Sequence, residues 1–147
     1  CIIAEVEVDL NTGNVTVLNI WPGVDAGKII NPALATQQVN GGIIMGIGVT
    51  LTEELIFDEK GRILNPTFMD YLVPTSLDIM NAEIEQPIFI ECPSKYGPFG
   101  AKGIGEVSLI PVAPAIASAI YHATGKFINF VPITNEKLYK VLSGDAV

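Results

Sequence analysis

The chain has 147 residues, the size of one ordinary domain, and 49% of them are apolar against 16% charged, a composition that excludes bulk disorder. Sixteen acidic and eight basic residues give a formal net charge of −8, which repels phosphate backbones and argues against a nucleic-acid partner. No Lys/Arg stripe offsets that charge.

The opening reads as a hairpin. Ile2, Ala4, Val6, Val8 and Leu10 alternate with Glu5, Glu7 and Asp9, the period of a half-buried strand. Asn11-Thr12-Gly13-Asn14 is turn chemistry, with Gly13 free to take a positive φ. Val15 to Val24 is the expected return strand, bent at its end by Pro22-Gly23. Asn31-Pro32 predicts a helix start, with Asn31 as N-cap and Pro32 at the first helical position, and the helix is expected to run to about Leu55. Ile56-Phe57 and Ile63-Leu64 flank Asp58-Glu59-Lys60-Gly61 and predict a second hairpin. Phe68 to Val73 is short and apolar. Glu83 to Glu91 alternates again, with Ile84, Ile88 and Ile90 as inward positions and Pro87 marking an edge or a bulge. Cys92 to Gly105 is loop-like. Pro111 or Pro114 opens an Ala-rich helix that Gly125 stops, Ile128 to Ile133 is expected as a final strand, and Asn135 to Leu142 as a short terminal helix. Strands and helices are interspersed without βαβ repeats, so the expected fold is α+β with a mixed sheet packed against helices, as one domain over residues 1–147.

Cys1 and Cys92 form neither a disulfide framework nor a CxxC pair, which fits a reducing, cytoplasmic setting. The chain starts with Cys rather than Met and shows no signal peptide, so it is expected to be a fragment or a split portion of a longer protein, with an active site only partly present. The most apolar stretch, Val39 to Leu51, has 13 residues and so falls short of the about 20 that a spanning helix needs.

Two segments carry chemistry. In the first, Gln37 to Gly48, a predicted helix holds four glycines (Gly41, Gly42, Gly46 and Gly48) within eight residues. At roughly 1 kcal/mol each relative to alanine, they cost about 4 kcal/mol, a large share of a typical stability of about 5–15 kcal/mol. Close approach of another backbone or of a ligand is the usual reason for such a cost. Gln38, Gly42 and Gly46 share one helix face, a smooth groove with an amide at its N-terminal end. Spacing alone leaves two readings open, with packing through small residues ahead of ligand binding.

The second segment is Gly97-Pro98-Phe99-Gly100-Ala101-Lys102-Gly103-Ile104-Gly105-Glu106. It is neither a P-loop nor a Rossmann fingerprint. It is a glycine-rich loop that delivers Lys102 and Glu106. Ile104, Val107, Leu109 and Ile110 surround Glu106 in sequence, and apolar surroundings raise a carboxyl pKa toward the range of a general base. An acidic residue at a helix N-terminus, stabilised by the macrodipole, fits the same spacing.

Taken in order, four motifs resemble the molybdopterin-binding subunit of the xanthine dehydrogenase and aldehyde oxidase family: Asp25-x-Gly27-x-x-Ile30-Asn31-Pro32; Gln38-x-x-Gly41-Gly42 with Met45-Gly46-x-Gly48 and Leu51-x-Glu53-Glu54; Phe68-Met69-Asp70-Tyr71-x-x-Pro74-Thr75; and Gly97-Pro98-x-Gly100-Ala101-Lys102-Gly103-x-Gly105-Glu106. The resemblance covers nearly the whole chain and places it in the C-terminal part of that subunit. It implies a molybdenum hydroxylase acting on an aldehyde or N-heterocycle carbon, with Glu106 as general base to a Mo–OH group. It implies a molybdopterin cofactor, in bacterial members often the cytosine dinucleotide form, contacted by Gln38, Gly41, Gly42, Gly46, Ala101, Lys102 and Gly103. It implies iron–sulfur [2Fe–2S] and FAD partner subunits together with the rest of the molybdopterin subunit, and leaves self-association open. No protein metal ligand is expected, since the cofactor brings its own sulfur donors.

Other residues take plainer readings. His122 is structural or on the surface, and Trp21 with the Phe and Tyr residues is core or interface. Asp25 and Asp70 are expected in turn hydrogen bonds, and Lys102 is open to either a cofactor phosphate or a neighbouring carboxylate. A non-catalytic assembly module retaining the same fold is the competing class, against which Gln38 and Glu106 argue. An unrelated hydrolase lacks support, because no nucleophile elbow surrounds Ser108.

Overall fold

The alternation at the N-terminus builds the first hairpin. In the computed structural model, which describes residues 1–145, β1 (Ile2–Val8) pairs antiparallel with β2 (Val15–Val24). Gly13, at φ 72°, makes the turn, and Asp9 caps it by accepting from the Asn11 N–H at 2.8 Å and the Thr12 hydroxyl at 2.9 Å. A bulge between Glu5 and Val6 shifts the register. Ile2, Ala4, Val6 and Val8 face the core as the alternation predicts. Leu10 does not: the chain has already turned there and the side chain is exposed.

Strand β2 is central. Beside β1 it takes two short parallel partners, β3 (Glu83–Ile84) and β4 (Ile88–Phe89), so the sheet is mixed and the fold α+β. The buried Pro87 lies between these partners and the alternation changes parity across it. Ile84 and Phe89 pack on the core, whereas Ile88 (68% exposed) and Ile90 (58% exposed) point away, which corrects the inward assignment of those two isoleucines.

Helix α1 (Pro32–Leu51) starts as its sequence predicts, with the Asn31 side-chain oxygen accepting from the Leu34 N–H at 3.1 Å and Pro32 in the first turn. It ends four residues before the expected Leu55. Thr52 leaves helical geometry, and its hydroxyl donates to the Leu72 carbonyl at 2.7 Å. The Tyr71 hydroxyl donates to Glu53 at 2.6 Å, so the chain after α1 is held by the 71–72 segment rather than by another helical turn. Residues 56–64 form a tight turn with a single bridge, Phe57 to Ile63, instead of a full hairpin. Asp58 organises it, accepting from the N–H groups of Lys60 and Arg62.

Helix α2 (Val112–Thr124) is stopped by Gly125 in the left-handed region, and α3 (Asn135–Ser143) is capped by Thr134. The strand expected over Ile128 to Ile133 is absent. Pro132 has no N–H, and the Ile133 N–H donates to the Thr50 carbonyl at 2.6 Å, so no ladder forms there.

The core is aliphatic. Val17, Ile20 and Val24 of β2 meet Val39, Ile43 and Ile47 of α1 and Val112, Ile116 and Ile120 of α2. Each helix contributes residues four apart, one stripe per helix. No aromatic side chain is among the buried core residues; Phe68, Tyr96, Phe99 and Phe127 are strongly exposed, which removes the core reading for them. Among the described residues no helix is long and apolar enough to cross a membrane.

Candidate functional site

The face of α1 that carries Gln38, Gly42 and Gly46 is covered along its length by the segment running from Gly105 into α2. At one end the Gln38 Nε2 donates to the Gly105 carbonyl at 3.3 Å. One turn on, a Cβ placed on Gly42 would overlap the Ser108 Oγ and lie 3.2 Å from the Ser108 Cβ. A further turn on, a Cβ on Gly46 would come within 2.6 Å of the Val112 side chain. Gly42 and Gly46 are buried. The open groove expected along this face is therefore closed, and close packing accounts for both glycines.

Gly41 differs. It is exposed on α1, and a Cβ there would meet nothing within 4 Å; the same holds for Gly103 and Gly105. Among the described residues the N–H groups of Gly103, Ile104, Gly105 and Glu106 have no hydrogen-bond partner. A run of free donors beside exposed glycines can receive an oxygen-rich ligand at close range. The Gln38 Oε1 likewise has no donor among the described residues.

Glu106 follows the carbonyl that Gln38 holds. It sits in the turn ahead of α2, where its own carbonyl accepts from the N–H groups of Leu109 (3.0 Å) and Ile110 (3.3 Å). Its side chain is exposed, so the apolar enclosure expected around it is not provided by the described residues. The hydrophobic neighbours in sequence point elsewhere: Ile104 packs on the core while Ile110 is itself exposed.

Lys102 is engaged. Its Nζ lies 2.7 Å from the Asp25 Oδ2, and its N–H donates to the Ala26 carbonyl at 2.9 Å. The hydrogen bond from Lys102, followed by one from the Gly27 N–H, holds the Asp25 carboxyl below its ordinary range, and the same bond to Asp25 raises Lys102 above the usual lysine value. Of the two expectations for Lys102, a neighbouring carboxylate is the partner seen. Asp25 makes the turn hydrogen bond predicted for it, and Asp70 accepts from the Thr67 hydroxyl at 3.1 Å. Ala101 bridges antiparallel to Gly27, so two pairings fix the loop ahead of Gly103.

Gln38, Ala101, Lys102 and Ile104 line a cleft of about 270 Å³ that continues along Lys28 to Asn31. Glu106 follows two residues after Ile104 in the chain and is not itself part of that lining. The structure thus brings together Gln38, Ala101 and Lys102 at this cleft, ties Gln38 to the residue before Glu106, leaves Gly41 and Gly103 exposed, and separates Gly42 and Gly46 as packing positions. His122 is exposed in the last turn of α2, and both cysteines are free and exposed. Among the described residues no cluster of three His, Cys, Asp or Glu side chains could hold a metal.

Sequence reasoning missed two residues. Ser108, weighed from the sequence only as a hydrolase nucleophile, is 1% exposed and seats in the Gly42 notch with its hydroxyl unpaired among the described residues. Asn65 is buried, accepts from the Ile56 N–H at 2.9 Å and donates to the Glu54 carbonyl at 2.6 Å. No pattern in the sequence marks it.

The family model described as the molybdopterin cofactor-binding domain matches residues 1–80, which include all of α1. The chain belongs to that family. This molybdopterin cofactor-binding domain is 41% identical, over 95% of its length, to the xanthine dehydrogenase molybdenum-binding subunit of Escherichia coli O157:H7. It is 40% identical, over 91% of its length, to the aldehyde oxidoreductase molybdenum-binding subunit PaoC of Escherichia coli K12. It spans 18% of the length of each. Its fold superimposes on quinoline 2-oxidoreductase from Pseudomonas putida 86 with a TM-score of 0.86 and 35% identity, covering 96% of this chain and 18% of that one.

Proposed function

We propose that this domain forms the C-terminal part of the molybdenum-binding subunit of a hydroxylase that oxidises an aldehyde or N-heterocycle carbon, and that Glu106 is its general base. The observation that carries the reading is the 3.3 Å bond from Gln38 to the Gly105 carbonyl, which puts a side-chain amide and the Glu106 turn at one edge of an open, donor-rich surface.

The residues fit a pterin cofactor. Gly41 and Gly103 leave room for its approach, the unpaired N–H groups of residues 103–106 can donate to its oxygens, and Ala101 and the Lys102 stem wall the adjoining cleft. When bound, such a cofactor supplies a redox metal that accepts the electron pair from substrate. The chain's own task is to orient it and to accept a proton. Gln38 binds through its free Oε1 and remaining N–H, and Glu106 takes the proton on a carboxylate oxygen. Lys102 acts indirectly, its pairing with Asp25 holding residues 101–103 in place. Gly42 and Gly46 act indirectly too, by admitting Ser108 and Val112. Because Glu106 is exposed here, the rest of the subunit is proposed to cover it and supply the desolvation that a base near neutrality needs.

A cytosine dinucleotide form of the cofactor, [2Fe–2S] and FAD partner subunits and a cytoplasmic location complete the proposal; relatives named as molybdenum-binding subunits support the presence of partners. The domain by itself is expected to bind no cofactor stably. The test is Glu106→Gln in the complete subunit with its partners, assayed with xanthine, quinoline and benzaldehyde. Loss of turnover of at least about 100-fold with unchanged molybdenum content is expected; retention of the parent rate would refute the role.

A further inference from the structure

We infer that Gly42 and Ser108 form a positioning pair that sets where Glu106 stands: the Gly42 notch on α1 receives the Ser108 side chain and so fixes the turn that carries the carboxylate. The inference rests on the role proposed for Glu106 and adds a residue pair to it that does not touch cofactor or substrate.

The turn is pinned on both sides of Glu106. One residue before it, the Gly105 carbonyl is held by Gln38 at 3.3 Å. Two residues after it, Ser108 is 1% exposed and pressed into space that any side chain at position 42 would occupy. Between these pins the Glu106 carbonyl accepts from the Leu109 and Ile110 N–H groups, closing the turn. Leu109 N lies 3.5 Å from the position of a Gly42 Cβ, so backbone as well as side chain approaches the notch.

Ser108 is not held there by a hydrogen bond. Its Oγ is buried without a partner among the described residues, an arrangement that disfavours the seated state by itself. What seats it is shape: a missing Cβ on one side and a small side chain on the other. Gly46 with Val112, a turn further on, anchors α2 to α1 in the same way but six residues from Glu106. Gly42 is therefore the packing glycine whose substitution reaches the Glu106 turn, through Ser108 and the Leu109 backbone.

The experiment uses the complete subunit with its partners and reads amide exchange in the peptide covering 104–110, beside kcat and KM on whichever of xanthine, quinoline and benzaldehyde the parent oxidises. Gly42→Ala is expected to speed exchange at the Leu109 and Ile110 amides at least tenfold, to leave the α2 interior around Ile116 unchanged, and to lower kcat with little change in KM. Gly42→Ala combined with Ser108→Ala removes the overlapping hydroxyl and is expected to restore both slow exchange and kcat. If Gly42→Ala does not fold, Ser108→Gly empties the notch from the other side and should speed exchange at the same two amides. Unaltered exchange at 104–110 in the variant that folds, or a double variant no better than Gly42→Ala, would overturn the inference. Failure of the underlying reading looks different: Glu106→Gln would then keep its rate whatever the exchange data show.

Discussion

Two sets of glycines in this domain look alike in sequence and do opposite things. Gly42 and Gly46 face inward, where Ser108 and Val112 fill the space a Cβ would need. Gly41, one residue before Gly42, faces solvent with nothing within 4 Å, as do Gly103 and Gly105. The closed set brings the second informative segment against α1. The open set leaves bare backbone beside Gln38. The cost of the four helical glycines is thus offset by packing at Gly42, at Gly46 and, against Glu53 and Pro74, at Gly48, and at Gly41 by nothing among the described residues.

Substitutions at the two sets should differ in sign. Gly46→Ala is expected to be the most disruptive, because Val112 is fully buried and cannot yield without moving α2. Overpacking of this kind costs about 1–3 kcal/mol, read as a lower unfolding midpoint. Gly42→Ala should cost less, about 1 kcal/mol, because the first obstacle is a hydroxyl rather than a branched side chain. Gly41→Ala should stabilise by about 0.5–1 kcal/mol, since alanine suits a helix interior better than glycine and meets no neighbour there. The same variant should lower the pterin content of the complete subunit. Stabilisation with unchanged pterin content would remove Gly41 from the site.

The smallest effect concerns the brace beside the open set. Asp25, held below its ordinary range by Lys102 and the Gly27 N–H, contributes fully above the unfolded value of about 3.9 and loses that contribution as pH falls through its lower folded value. Lys102, raised by Asp25, contributes fully below about 10.4 and loses it as pH rises through its higher folded value. Between those limits the pair should be indifferent to pH. Asp25→Asn should therefore shallow the fall in unfolding midpoint between pH 5 and 2, and an unchanged acid limb would show that the pair does not brace the loop.

Much of the fold was legible because local rules and tertiary packing agree. The Asn11–Asn14 turn, the Asn31-Pro32 helix start and the Gly125 stop are each set by a residue and its immediate neighbours. Where a distant partner decides, the sequence is mute. The end of α1 depends on Leu72 and Tyr71, the fate of Ile133 on Thr50, and the parity change at Pro87 on two separate pairings with β2. The site divides in the same way. The spacing of Gln38, Gly42 and Gly46 defined a face, and the loop composition singled out Glu106. That the two meet, with the loop itself filling the face, requires three-dimensional placement, because residues 38 and 105 are 67 apart in sequence. The exposure of Glu106 was equally hidden, since Ile104 packs on the core and Ile110 is itself exposed.

The most direct test of the account is the position of molybdenum in crystals of the complete subunit, located by anomalous scattering. A metal peak beside the Glu106 carboxylate, with the pterin lying between Gln38 and residues 101–105, is the predicted result. A peak on another face of the domain, out of reach of both Glu106 and Gln38, would contradict it.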